Sequence, residues 1–426
     1  MKVTTRLFAW TALCGVLALA GCGDGQGAQL TKSQSALKPP DQTAAMLDKP
    51  AYGRAPRAIS LSELQHKNLW YHVRLVDGET GYRYGYVRGQ FRMERTTDRG
   101  VTWKPISLPV SFRLSSQSSC DGAENPQVAV VDLDTVAVYG VDGRRFFRLT
   151  TSDGGQKWQV ASTDLPDSGY CVTSVSQPSR KDAWVVLSRP SSAGRPSAPM
   201  VYRIWDAGVH VAPVRVDEAQ TISGLVPGAK VQAVMANLRD GDVYAILPNG
   251  QLVSYHTRDG GAHFEKRILA APKGIAGAKA TRIFAPRALE QEVTFPTIWT
   301  TTGAYGARQH IVVFRTRDGG DSYAGQICDV LLGARANAEG APCAFVTPDY
   351  GYAIKDGRLM RTSDSGTTWL SVHSTTLEQW LESYPYVLDV DYISYTQGFV
   401  LAADAALTHT VLLATQGLRD RFAPVP

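Results

Sequence analysis

The feature that most constrains this chain is an eight-residue pattern that returns at near-regular intervals. Thr96-Thr-Asp98-Arg-Gly100-Val-Thr-Trp103 recurs as Thr151-Ser-Asp153-Gly-Gly155-Gln-Lys-Trp158. It returns as Thr257-Arg-Asp259-Gly-Gly261-Ala-His-Phe264, Thr316-Arg-Asp318-Gly-Gly320-Asp-Ser-Tyr323 and Thr362-Ser-Asp364-Ser-Gly366-Thr-Thr-Trp369. The spacing points to two worn copies. Asp153 and Asp259 are two steps apart, and midway lies Ile204-Trp-Asp206-Ala-Gly208-Val-His-Val211. One step beyond Asp364 lies Thr415-Gln-Gly417-Leu-Arg419-Asp-Arg-Phe422, which keeps the Thr and the aromatic but not the Asp. The series 98, 153, 206, 259, 318, 364, 417 has steps of 55, 53, 53, 59, 46 and 53 residues. Seven units reach the last residues of the chain. A fixed internal period of this kind signals an array of one supersecondary unit.

Each residue type in the pattern has a structural use. The Asp carboxylate accepts backbone N–H groups and holds a tight turn. The Gly takes positive φ without Cβ strain. The aromatic opens the next strand and enters the core. A structural role for Asp98, Asp153, Asp206, Asp259, Asp318 and Asp364 is therefore sufficient, and no catalytic role is assigned to them. Each unit also carries four short β-like runs. In the second they are Val128–Val131, Thr135–Val141, Arg145–Thr150 and Lys157–Ala161; in the sixth, Ala344–Thr347, Gly351–Ile354, Leu359–Thr362 and Thr368–Val372. Four strands per unit describe a propeller blade. Seven similar meanders with no capping repeat favour a closed ring over an open solenoid. The expected fold is all-β, a seven-bladed β-propeller with four antiparallel strands per blade over residues 58–426. Only Thr375–Ser383 reads as helical.

The N-terminus has a different character. Lys2 and Arg6 precede an apolar stretch from Leu7 to Leu19, followed by Leu19-Ala20-Gly21-Cys22. This stretch is too short to span a bilayer and suits a secretory signal. The site resembles the lipobox of bacterial lipoproteins. That resemblance implies a signal peptide over 1–21, lipidation of Cys22 and a membrane anchor through the N-terminal lipid. Residues 22–57 are rich in Gly, Gln, Ser, Ala and Pro and read as a flexible tether. Leaving out residues 1–21 lowers the formal charge from +5 to +3, too little for a nucleic-acid binder. The four cysteines beyond Cys22 are even in number in an exported chain, which suggests disulfides. Cys328 and Cys343 flank the connection between units five and six. Cys120 and Cys171 open units two and three at similar phase. The expected pairs are 120–171 and 328–343. No cysteine or histidine spacing argues for a metal, and no cofactor is expected.

The Ser/Thr-x-Asp-x-Gly-x-x-aromatic pattern resembles the Asp-box, or bacterial neuraminidase repeat. Unit six, Phe345-Val-Thr-Pro-Asp-Tyr-Gly-Tyr352 through Trp369, looks most like the photosystem II stability/assembly-factor family. That likeness implies seven blades, a lipid anchor and a non-enzymatic platform that binds another protein. Sialidases share the repeat but resemble this chain less. The nearest approach to their Phe/Tyr-Arg-Ile-Pro motif is Phe112-Arg113-Leu114-Ser115, which lacks the Pro. The acids open to a two-carboxylate glycosidase are Glu124, Asp142, Glu378 and Glu382, which the sequence does not place relative to one another.

Strand order separates two faces. The Asp-box joins third and fourth strands, so first-to-second turns share its face, with Asp77, Glu79, Asp132, Asp134, Asp182, Asp240, Asp242 and Asp349. The opposite face receives the second-to-third turns, with Arg88, Arg144, Arg145, Arg189, Arg195, Arg308, Lys355 and Arg358. The expected binding surface is this basic rim, suited to an acidic partner through bidentate arginine contacts. The chain is expected to be a monomeric outer-membrane lipoprotein facing the periplasm, with an envelope or periplasmic protein as partner. A glycan-binding or sialidase-like role is the alternative.

Overall fold

The computed structural model describes residues 59–114, 125–189, 198–206, 210–214, 222, 225–289, 291–304, 306–334, 341–415 and 421–425. Seven antiparallel sheets follow one another along the chain, each a meander whose strands are neighbours in sequence order. They are the blades of a seven-bladed propeller: 72–106, 127–164, 171–213, 230–269, 279–327, 344–372 and 386–424. Their first strands form the inner ring, for example His72–Leu75 in blade one, Cys171–Ser176 in blade three, Lys230–Met235 in blade four and Tyr386–Tyr392 in blade seven. Blade five alone has a broken first strand, Lys279–Ile283 and Arg287–Leu289, both paired to Glu292–Gly303. The helix expected at Thr375–Ser383 is present, capped by the Ser374 hydroxyl, and buries Leu377, Trp380 and Leu381 between blades six and seven.

The middle strands are the most buried. Val136–Tyr139 and Val243–Ala245 are at or near zero exposure, because propeller blades pack face to face and both faces of a central strand meet protein. Their near-continuous apolar runs follow from that double burial. Rings from successive blades interlock there: Tyr352 of blade six stacks on Tyr392 of blade seven at 3.8 Å.

Five boxes share one hydrogen-bond pattern. The Thr hydroxyl donates to the Asp at 2.8–2.9 Å and accepts the Gly N–H at 2.7–2.9 Å. The same Asp then accepts the N–H four residues on, at 2.8–2.9 Å. The leading Thr is thus a relay rather than only the end of a strand. These bonds stabilise the ionised carboxylate. Asp318 is brought down to about 2, chiefly by the Ser322 hydroxyl. At Asp259 partial burial pushes upward, but the bonds from His263 and Thr257 outweigh it and hold the group at about 2.

Candidate functional site

Topology puts the second-to-third hairpins at one end of the ring and the boxes at the other, as the strand count requires. The expected rim arginines divide into two groups. Arg189 donates to Asp167 at 2.7 Å, Arg145 pairs with Asp164 at 3.4 Å, and Arg308 lies 3.6 Å from Asp329. Asp164 ends the fourth strand of the same blade, while Asp167 and Asp329 come from blade-to-blade connections, and together they offset much of the positive charge. Arg88, Arg144 and Arg358 are different. They are exposed and form no ion pair among the described residues, Arg144 being steadied by the Leu165 and Pro166 carbonyls. Arg195 lies outside the described residues.

The turns that carry them are stiff. Arg88 and Gly89 sit at φ 54° and 72°, and Asp356 and Gly357, just before Arg358, at φ 50° and 75°. Successive positive φ values mark the two-residue turn whose twist matches a hairpin. An arginine pays a steric penalty at such a φ. The Arg88 N–H is held by Asn68 Oδ1 at 3.1 Å. In ring order these turns occupy blades six, one and two. Between them the blade-seven hairpin carries Asp404, whose carboxylate is consumed within its own turn by Thr408 and His409. The result is an arc of three guanidinium groups on blades six, one and two, without an ion pair among the described residues.

The expected 328–343 disulfide is not formed. Cys328 and Cys343 are free, buried thiols. The Cys328 thiol faces the sixth box, donating to the Gly366 carbonyl at 3.0 Å, so its sulfur is committed to the blade packing. Burial pushes the Cys328 thiol up to about 11 and Cys343 well above its usual range, which keeps both protonated and unreactive at neutral pH. Cys171 is buried at the start of blade three; Cys120, its expected partner, and Cys22 lie outside the described residues.

The acids considered for hydrolysis are spread out. Asp142 sits on the blade-two hairpin, while Glu378 and Glu382 share the helix before blade seven, Glu378 being bonded to His373 at 2.9 Å. Glu124 lies outside the described residues. A serine, a histidine and an aspartate do meet between blades four and five. Asp242 accepts Ser254 Oγ at 2.6 Å and the Tyr323 hydroxyl at 2.7 Å, with His256 Nδ1 at 3.3 Å. All of Asp242, Ser254 and His256 are at most 3% exposed, so no substrate reaches them. This network is a clasp: Tyr323 is the aromatic of box five reaching back into blade four, and His256 packs against Gly320 of that box. Other seams use the same position, the residue before the first residue of the box. Arg95 reaches Asp134 at 2.7 Å, Arg203 reaches the Gly260 carbonyl at 2.9 Å, and Arg315 bonds Ser365. The sequence shows basic residues at that position, but nothing in it says that they cross to the next blade.

The inner ring poses a further requirement. A first strand has no neighbour on its channel side, so its outward N–H groups need partners. At the third seam Ser174 and Ser176 accept the N–H groups of Ala233 and Met235 at 3.1 and 2.8 Å. At the closing seam, Asp389 and Asp391 accept those of Val73 and Leu75 at 2.9 and 2.7 Å. Asp389 also binds Arg74 at 2.7 Å. Among the described residues no group of three His, Cys, Asp or Glu is placed to hold a metal, and no helix is long and apolar enough to cross a membrane.

No family model and no curated protein matches this chain. Solved structures do resemble it in fold. One is described as YCF48 bound to D1 peptide, at 16% identity and TM-score 0.47, covering 86% of this chain and 96% of that one. Another is YCF48 from Cyanidioschyzon merolae, at 16% identity and TM-score 0.45, covering 82% and 96%. A third is the polysaccharide lyase Uly1, at 8% identity and TM-score 0.50, covering 90% and 95%. At these identities the likeness concerns the propeller alone.

Proposed function

We propose that this chain is a non-enzymatic scaffold whose far face, opposite the boxes, receives an acidic surface of another protein. The observation that carries this reading is the arc of exposed, unpaired arginines on stiff turns, Arg88, Arg144 and Arg358, with Arg145 beside them. Guanidinium forks bind carboxylates bidentately, and clustered charge speeds and orients encounter. Similar propellers include both a peptide-bound protein and a polysaccharide lyase, so the fold alone does not choose between protein and glycan.

The same reading includes the anchor. Lipidation at Cys22 and a tether over 22–57 hold the propeller, residues 58–426, to a bacterial envelope membrane, the outer one on its periplasmic side. At about 5–6 Å × √n, a tether of this length reaches on the order of 30–35 Å, enough to hold the body clear of the headgroups.

The test is capture from detergent-solubilised envelope, with the lipidated wild type beside a variant carrying Glu at Arg88, Arg144, Arg145 and Arg358. A partner retained by the first and lost by the second is the expected outcome. Equal retention rejects the rim. A parallel screen on fluorogenic sialosides and β-glucans decides the alternative: turnover abolished by one carboxylate substitution makes the protein a glycosidase. Cys22→Ser is expected to move the protein from the membrane fraction to the soluble one.

A further inference from the structure

We infer that the box face carries a binding site for a carboxylate group at the seam between blades seven and one, with Arg99 as its anchor. A cavity of about 230 Å³ opens there, lined by Gly78, Arg99, Thr396, Gln397, Phe399 and Thr415. It lies at the opposite end of the ring from the arginine arc and is independent of it.

The cavity sits beside the worn seventh repeat. In five boxes the leading Thr donates to the Asp two residues on. Thr415 holds the same place, but residue 417 is a glycine, so that acceptor does not exist. Its hydroxyl turns instead to the Thr396 carbonyl at 2.7 Å and accepts the Gly398 N–H at 2.9 Å. The first-to-second turn of blade seven is thereby held by the Thr that elsewhere holds a box.

Arg99 is the second departure. It stands between the Asp and the Gly of box one at φ 60°, where boxes two, four and five have Gly154, Gly260 and Gly319 and box six the small Ser365 at φ 62°. A side chain there is strained, and yet it is an arginine. Its N–H bonds the Glu79 carbonyl at 2.8 Å and its Nε the Gly78 carbonyl at 3.0 Å. Among the described residues the terminal nitrogens form no ion pair, whereas Arg95, Arg180, Arg258 and Arg317 on the same face pair with Asp134, Asp132, Asp321 and Asp349. Of the nearby acids, exposed Glu79 forms no ion pair with Arg99 among the described residues, and the two aspartates are engaged locally. Asp77 accepts the N–H groups of Glu79 and Thr80 in its own turn, and Asp98 is bonded to Thr96 and Thr102.

The cavity thus offers a pre-oriented guanidinium fork, the Gln397 carboxamide and an apolar floor from Phe399, which is 3% exposed. A fork of this kind takes planar carboxylate edge-on. One cation suits a monoanion better than a phosphate dianion. The occupant is therefore a carboxylate on a body about the size of one residue, supplied by a peptide chain end or by a uronic acid.

The experiment is saturation-transfer NMR on the intact propeller with N-acetylalanine against N-acetylalaninamide, glucuronate against glucose, and inorganic phosphate as competitor. At least one acid is expected to bind, its neutral counterpart about ten-fold or more weaker, as loss of a charge-assisted contact implies. Which acid binds identifies the source. Arg99→Gly, which installs the residue other boxes use, is expected to abolish transfer while leaving the melting temperature unchanged or higher. No transfer from either acid, equal transfer from the neutral partners, or full binding by Arg99→Gly overturns the site. Tighter binding of phosphate than of either acid, read from its displacement of them, overturns the carboxylate assignment.

Discussion

Two seams of the ring solve one problem with different chemistry. Between blades three and four, Ser174 and Ser176 cap the inner-strand amides of Ala233 and Met235; between blades seven and one, Asp389 and Asp391 do the same for Val73 and Leu75. In each case two side chains two residues apart meet two amides two residues apart. The third seam joins segments 59 residues apart in the chain, and the closing seam joins segments 316 apart. No strand is exchanged at closure, since blade one is wholly N-terminal and blade seven wholly C-terminal. A charged acceptor binds N–H groups more strongly than a neutral one, and Asp389 also pairs with Arg74. The stronger cap lies where no chain connection holds the blades together.

Breaking the charged seam is expected to have the largest effect. Asp389→Ala removes the carboxylate that pairs with half-buried Arg74 and the acceptor of the Val73 N–H, a loss of about 3 kcal/mol, read from urea unfolding of the mature protein. The matched change at the third seam, Ser174→Ala with Ser176→Ala, is expected to cost about 1 kcal/mol per site or less. If the serine pair proves as costly as Asp389, the contrast between the seams is void.

Acidification sharpens the comparison from another side. Asp259, Asp318 and Asp404 are held at about 2 in the fold, below the ordinary 3.8. Their contribution is complete above the unfolded value and is lost as pH falls through the folded one. Stability measured by thermal melts should therefore drop between about pH 4 and pH 2, with a shallower drop in Asp318→Asn. Asp391 runs the opposite way. Burial raises it above its ordinary value, against the pull of Arg74 and the Leu75 N–H. Its ionised form is disfavoured, so the fold loses stability as pH rises through that raised value. Asp391→Asn retains an acceptor for Leu75. The smallest effect is expected here: a change within about 1 kcal/mol, stabilising at pH 8, that fades below about pH 4. A large loss at pH 8 would show that the Asp391 charge, and not only its oxygen, holds the seam.

Local chemistry explains what was legible beforehand. The boxes, the seven units, the strand runs and the helix at Thr375–Ser383 depend on contacts within a few residues, and Thr316, Asp318 and Gly320 complete their turn within five positions. The far-face arginines were likewise readable from strand order. Their pairing was not, because Asp167 and Asp329 arrive on separate connections. Cys328 looked like a clip for a loop because its spacing to Cys343 was visible while its contact with Gly366 was not.

The sequence by itself determined the blade, the blade count and the division of turns between two faces, because each follows from a short-range pattern repeated seven times. The tertiary structure alone decided which side chains cross the seams. It set Asp389 against Arg74, Tyr323 against Asp242, and the Cys328 thiol against a box carbonyl. Those choices depend on the register between neighbouring sheets, which is fixed only when the ring closes and the whole core packs at once.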